Sequence, residues 1–157
     1  MMEYNFFSYD SPIGKIRISY TDNAIIGLDF LKMPNFNSNN NSEILKKCIN
    51  QLDDYFKGKT KEFSINIEFL NGTEFQKKVW KSLLSVKYGE VASYKDIATI
   101  NGNYKASRAI GGANNKNPIS IIIPCHRIIG SNGKLVGYGG GIEKKIWLLN
   151  HERKHYE

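Results

Sequence analysis

Apolar and polar residues alternate first at a period of two and later at the longer period of a helix, and the changes of period divide the chain into elements. Behind the turn signal Ser11-Pro12-Ile13-Gly14, Ile16, Ile18 and Tyr20 alternate with Lys15, Arg17 and Ser19, which predicts a half-buried strand. Thr21-Asp22-Asn23 interrupts it, and Ile25 to Phe30 reads as a second strand returning antiparallel. The Asn-rich run from Pro34 to Asn41 is expected to be a polar loop without chemistry. From Ser42, a helix N-cap, the period lengthens: Ile44, Leu45, Cys48, Ile49, Leu52, Tyr55 and Phe56 form one face of a helix over 43–57, with Gly58 as its stop. Cys48 falls inside that face, where a thiol behaves as a small core hydrophobe. Phe63, Ile65 and Ile67 alternate as a further strand, and Asn71-Gly72 marks a boundary.

Beyond the boundary the pattern is helical. Thr73 and Gln76 have the spacing of a capping box ahead of an apolar face of Phe75, Val79, Trp80, Leu83 and Leu84. Ser93 and Asp96 start a short helix, Tyr94 to Ile100, which Asn101-Gly102-Asn103 breaks before a second helix from about Tyr104 to Asn115. Two short helices joined by a Gly-containing turn have the pattern of a helix-turn-helix, though ligand-free helical hairpins share it. The second helix contains Gly111 and Gly112, each costing about 1 kcal/mol relative to alanine, among the small residues Ala106, Ser107, Ala109 and Ala113. Something is expected to approach that backbone closely, either another element or a nucleic-acid groove. Arg108, the one large charged side chain of its centre, favours a groove, where it could reach between bases. Ile119 and Ile121–Ile123 read as a short buried strand, and a final helix begins at Ile142.

Composition narrows the class. The 157 residues are 41% hydrophobic and 24% charged, with a formal charge of +7, as expected of a folded chain of one or two domains. No run approaches the roughly 18 apolar residues of a membrane span, and the amino terminus lacks signal-peptide character, so a cytoplasmic protein is expected. The charge is unevenly placed: residues 1–71 have 8 Lys+Arg and 9 Asp+Glu, net −1, whereas residues 72–157 have 14 and 6, net +8. A concentrated positive field attracts polyanions and makes nucleic acid the first suspect.

The candidate chemistry lies at Pro124-Cys125-His126-Arg127. A cysteine set directly after a core segment and a proline is held on rigid backbone, and basic neighbours are expected to lower its pKa. His126 could reach the sulfur directly or through water. Glu152 is either a solvated helix-end carboxylate or the group that orients His126 in a Cys-His-carboxylate arrangement. The run Gly137-Tyr138-Gly139-Gly140-Gly141 departs from dinucleotide-binding spacing, but Tyr138 could wall a site for a planar ring. His151 and His155 are expected at the surface, and two cysteines with three histidines give no zinc pattern.

From Gly72 to Glu152, through GTEFQKKVW, GEVASYKDIA, SRAIGGANNKNP, IIIPCHRII, GYGGG and WLLNHE, the chain resembles the O6-alkylguanine-DNA alkyltransferases, the methylated-DNA–protein-cysteine S-methyltransferases. SPIGKIRISY and IIGLDF resemble the family's less uniform first domain. The resemblance implies an α/β (α+β) protein. Residues 1–71 would form a small ribonuclease H-like domain with an antiparallel sheet, and residues 72–157 a mostly helical domain with a winged-helix-like helix-turn-helix. It further implies that Cys125 accepts the alkyl group, activated through water by His126, with Glu152 polarising His126 and Asn117 buttressing the site. Tyr94 would assist proton transfer and crowd the phosphate, Arg108 would fill the space of the extruded nucleotide beside Ser107, and Ser131 would contact phosphate. Tyr138, Gly139 and Gly140, with carbonyls at Cys125 and Ile128, would read the flipped base.

The implied partner is double-stranded DNA containing O6-alkylguanine, repaired once per molecule by a monomer without cofactor or metal. The zinc of human-type members is not expected, because residues 1–71 contain Cys48 as their one cysteine and no histidine. Gly139, where members often have serine or alanine, would loosen the pocket wall. Two other classes are consistent with parts of the pattern: a binder of alkylated bases that does not repair them, and a cysteine hydrolase built on Cys125, His126 and Glu152.

Overall fold

The computed structural model describes residues 5–30 and 41–156; the expected Asn-rich loop falls outside them except for Asn41. The chain divides into two compact units, Met1–Leu70 and Asn71–Glu157.

In the first unit, β1 (Asn5–Ser11), β2 (Gly14–Tyr20) and β3 (Ile25–Asp29) form an antiparallel meander of order β1-β2-β3. Alternation on β2 places Ile16, Ile18 and Tyr20 in the core, while Arg17 pairs across the sheet with Asp29 at 3.1 Å. Helix α1 (Glu43–Phe56) is capped by the Ser42 side chain and buries Leu45, Cys48, Leu52 and Tyr55, the spacing of a single helix face. Tyr9 of β1 donates to Asp53 of α1 at 2.6 Å and ties sheet to helix. The expected strand at Phe63–Ile67 is not formed. Its alternation survives as half-buried Phe63, Ile65 and Ile67, but only Ile67 bridges Ile25. Gln51 takes the ladder's place at Ser64, donating to its carbonyl and accepting from its amide.

The second unit comprises α2 (Glu74–Leu83), β4 (Ala92–Ser93), α3 (Tyr94–Ile100), α4 (Ser107–Asn115), a 3-10 turn at Cys125–Arg127, β5 (Ile128–Ile129) and α5 (Ile142–Lys154). Both expected capping boxes are formed, Thr73 with Gln76 on α2 and Ser93 with Asp96 on α3; each Ser or Thr cap contributes about 1 kcal/mol. Val79, Trp80 and Leu83 of α2 are buried, whereas Phe75 and Leu84 lie at the edge of that face and are exposed. Gly72 is required: at φ +121°, an added Cβ would lie 2.7 Å from the Trp80 ring. Trp80 in turn donates to the Ala113 carbonyl at 2.8 Å, fixing the end of α4 against α2. Helix α4 starts at Ser107 rather than Tyr104, because Tyr104–Ala106 is spent in the turn and no side chain caps the helix. None of the described helices is long and apolar enough to cross a membrane.

Ile119 and Ile121 to Ile123 are buried as expected, but as a pair of tight turns instead of a strand. The Ile122 amide bonds the Ser120 carbonyl at 2.8 Å around Ile121, whose φ of +73° is the left-handed γ-turn. The Cys125 amide bonds the Ile123 carbonyl at 2.8 Å around Pro124, at φ −81° and ψ 62°. Proline's fixed φ suits the second turn, whereas a β-branched residue is strained in the first.

Candidate active site

These turns deliver Cys125 and His126 into the interior. Cys125 is 5% exposed, His126 0% and Glu152 1%. His126 Nε2 lies 2.7 Å from Glu152 Oε2, and the Arg127 guanidinium grips both oxygens of the same carboxylate, Nε to Oε1 at 2.8 Å and Nη2 to Oε2 at 3.0 Å. Arg127 Nη1 donates to the Val86 carbonyl at 2.7 Å. Of the two positions left open for Glu152 by its sequence, the structure selects the buried one.

Burial raises the Glu152 pKa, but His126 and Arg127 outweigh burial and hold the carboxyl well below the usual range. Burial lowers the His126 pKa, against the pull of Glu152. A neutral imidazole beside an ionised, acceptor-only carboxylate has its proton on Nε2. The lone pair is then on Nδ1, which is buried with no protein hydrogen-bond partner among the described residues. That geometry makes Nδ1 a base.

The thiol itself is not tuned as its neighbours suggested. Burial raises the Cys125 pKa, and the groups opposing burial are the Asn117 side chain, Lys145 and Ser120, with neither His126 nor Arg127 among them. Arg127 spends its charge on Glu152. Asn117 is fixed at both ends of its amide, donating to the Ile123 carbonyl at 2.8 Å and accepting from the Ile119 amide at 3.0 Å, so it braces the turns ahead of the cysteine.

Beside α4 lies a cavity of about 570 Å³ lined by Tyr94, Ser107, Arg108, Ser131 and Val136 among others. Tyr94 spans it, its hydroxyl donating to the Val136 carbonyl at 3.1 Å, and it lies close enough to Cys125 for a thiolate to raise its pKa, after the larger effect of burial. The cavity thus gathers Tyr94, Ser107, Arg108 and Ser131 but not Tyr138, Gly139, Gly140 or Ile128. Ile128 is fully buried, and its carbonyl accepts from Lys145 Nζ at 2.6 Å. The Tyr138 ring faces the interior, where burial first and Cys125 second hold its pKa well above the ordinary value. The α4 glycines differ: a Cβ on Gly111 would touch the Tyr94 ring at 3.7 Å, whereas one on Gly112 would meet nothing within 4 Å.

Three side chains escaped the sequence reading. His151 is buried rather than at the surface, stacked on Trp147 with centroids 4.8 Å apart. Asn114 is buried and directs its amide at the Cys125 carbonyl at 3.4 Å. Lys145 is fully buried although lysine is ordinarily solvated. Its spacing was the available signal, since Lys145, Leu148 and Glu152 recur on one face of α5. Among the described residues no cluster of His, Cys, Asp and Glu is placed to hold a metal ion.

The family described as "6-O-methylguanine DNA methyltransferase, DNA binding domain" matches residues 74–154, and its ribonuclease-like domain matches residues 6–69. A methylated-DNA–protein-cysteine methyltransferase of Methanosarcina barkeri is 43% identical over 152 residues, covering 93% of this chain and 95% of its own. The crystal structure of the Mycobacterium tuberculosis O6-methylguanine methyltransferase superposes with a TM-score of 0.89 at 38% identity, covering 98% of this chain and 94% of its own. The M. tuberculosis protein in complex with DNA gives 0.88 at 40% identity, with coverage of 96% and 93%.

Proposed function

The chain belongs to the 6-O-methylguanine DNA methyltransferase family, and from that premise we propose that it repairs O6-methylguanine, and less well O4-methylthymine, in double-stranded DNA by moving the methyl group onto Cys125. In this reading residues 1–71 are the ribonuclease-like domain and residues 72–157 bind DNA and accept the alkyl group. The observation that carries it is the buried pair of His126 and Glu152, which leaves Nδ1, one residue along the chain from Cys125, with an unengaged lone pair.

The thiol proton passes by way of water to His126 Nδ1, and Glu152 stabilises the imidazolium that forms. The sulfur attacks the O6-methyl carbon, the carbon–oxygen bond breaks with its electrons going to the guanine, and the guanine takes up a proton for which Tyr94 is the donor. Chemistry at an atom inside a duplex requires the nucleotide to be flipped out; in this reading Arg108 and Ser107 on α4 hold the opened helix, Ser131 takes a phosphate, and Tyr138, Gly139, Gly140 and Ile128 frame the base. The product is a thioether, which water does not cleave, so each molecule acts once; the reading further takes the protein as a monomer of the cytoplasm that uses no cofactor. With lesion duplex in excess, restored guanine should plateau at one per protein chain. Continued release would refute single turnover, and no restoration would refute the reading as a whole.

A further inference from the structure

Four of the five residues in Gly137-Tyr138-Gly139-Gly140-Gly141 are glycine, and backbone so free to turn keeps one shape only where something fastens it. The last peptide of the run is fastened at both ends. The Gly141 amide donates to the Tyr138 carbonyl at 2.9 Å, closing a turn, and the Gly140 carbonyl accepts from Lys144 Nζ at 3.0 Å. Gly141 stands at φ +107°, in the region that favours glycine. The amides of Gly139 and Gly140, in the middle of the turn, have no hydrogen-bond partner among the described residues. Two successive donors on a fastened turn suit a ligand that brings acceptors.

Lys144 is an unfavourable residue for its place in the helix. It is the third residue of α5, whose N-cap, Gly141, makes no side-chain bond to the helix start. The first turn of a helix is the positive end of the backbone dipole, so a cation there is disfavoured. Lys144 is nevertheless half-buried in that turn, with its ammonium directed back onto the glycine run four residues behind. Such a conflict between a residue and its element is found mainly where function requires it.

We propose, on the reading that Tyr138, Gly139 and Gly140 frame the flipped base, that Lys144 is a positioning residue for base recognition. It clasps the Gly140–Gly141 peptide and so presets the turn whose two unbonded amides meet the acceptor edge of the alkylated guanine. Without the clasp, the turn must be ordered by the base itself, and binding bears that entropy.

Lys144→Met in the full chain removes the donors and the charge but keeps a stem of similar length. Its melting temperature should stay level or rise, since an unfavourable charge leaves the first turn of α5. The Gly141 amide, followed by NMR hydrogen exchange without DNA, should exchange about tenfold faster. With an O6-methylguanine duplex, the concentration that gives half the maximal single-turnover rate should rise about tenfold. The maximal rate should change by less than about twofold, because the groups that move the proton and the methyl are untouched. Affinity for a lesion-free duplex should fall by less than about threefold. Lys144→Arg, which keeps a charged donor, should recover most of the half-saturation.

Unchanged Gly141 exchange or unchanged half-saturation in Lys144→Met would overturn the clasp. Equal losses of affinity for lesion and lesion-free duplexes would overturn it as well, by making Lys144 a phosphate contact. Wild-type protein that binds the lesion duplex but never takes up its methyl group would sink the alkyl-transfer reading instead, with the clasp still measured by Gly141 exchange.

Discussion

Each unit buries one cysteine, and the two sites are built on opposite principles. Around Cys48 the interior is apolar, burial acts alone, and the thiol is pushed up to about 12. Around Cys125 burial acts in the same direction, but Asn117, Lys145 and Ser120 oppose it, and His126, Arg127, Lys145 and Glu152 are all buried in the same unit. Among the described residues of the first unit the buried polar ones are only Ser19 and Thr21, and Thr21 serves the turn at Asn23-Ala24. Desolvating four ionisable groups is expensive, and an apolar core of equal volume would fold at least as well. A unit that keeps them does so for what they do to one another, which is why burial of a thiol says little until its polar company is known.

The contrast is broken most severely at Glu152. Glu152→Ala leaves the Arg127 guanidinium buried without its carboxylate and frees the His126 tautomer. A loss of about 3–5 kcal/mol in stability of the second unit is expected, with methyl transfer slower by about 100-fold or more. Cys48→Ala should cost only about 1 kcal/mol and leave the transfer rate per folded molecule unchanged. Thermal melts and single-turnover rates of the two variants check both.

Acid should separate the units next. The His126 pKa is depressed by burial, so the stability it contributes is complete above about pH 6.5, the unfolded value, and is lost as pH falls below it. Glu152 is likewise depressed, and its contribution is complete above the ordinary carboxylate pKa and drains away below it. In the first unit the displaced groups, Tyr9 and Cys48, are both raised, so their contribution is lost only on alkaline titration. Trp80 and Trp147 are the only tryptophans and lie in the second unit. Their fluorescence should report acid unfolding while amide protection of β1–β3 persists; coincident loss of both signals would contradict the separation.

The smallest expected effect lies on α4. Gly112→Ala meets open space and should stabilise the second unit by about 0.5–1 kcal/mol while weakening binding to any duplex, if the bare backbone there serves a DNA groove. Titration of a lesion-free duplex with both proteins tests this, and equal affinities would remove the groove as the reason for the glycine.

Much of this was legible because it is written locally. Ser42, Thr73 and Ser93 announce their helices by side-chain oxygens that need only the next turn of backbone, and Cys125, His126 and Glu152 stand in a pattern that resemblance identifies. What was hidden depends on partners distant in sequence. An apolar run such as Ile119–Ile123 must be buried, but burial alone does not distinguish a strand from turns. Phe63–Ile67 alternates correctly, yet Gln51 supplies bonds that a neighbouring strand would have made. Adjacency points Arg127 at the sulfur, whereas its partner lies 25 residues away. Lys145 is hidden because lysine is ordinarily a surface residue, although periodicity places it on the Glu152 face of α5.

Of the two buried thiols, the one surrounded by polar groups is the proposed alkyl acceptor. Peptide-resolved mass spectrometry after exposure to an O6-methylguanine duplex tests it most directly. The account predicts the mass of one added methylene on the Cys125 peptide and none on the Cys48 peptide; an unmodified Cys125 after prolonged exposure, or methylation of Cys48, would contradict it.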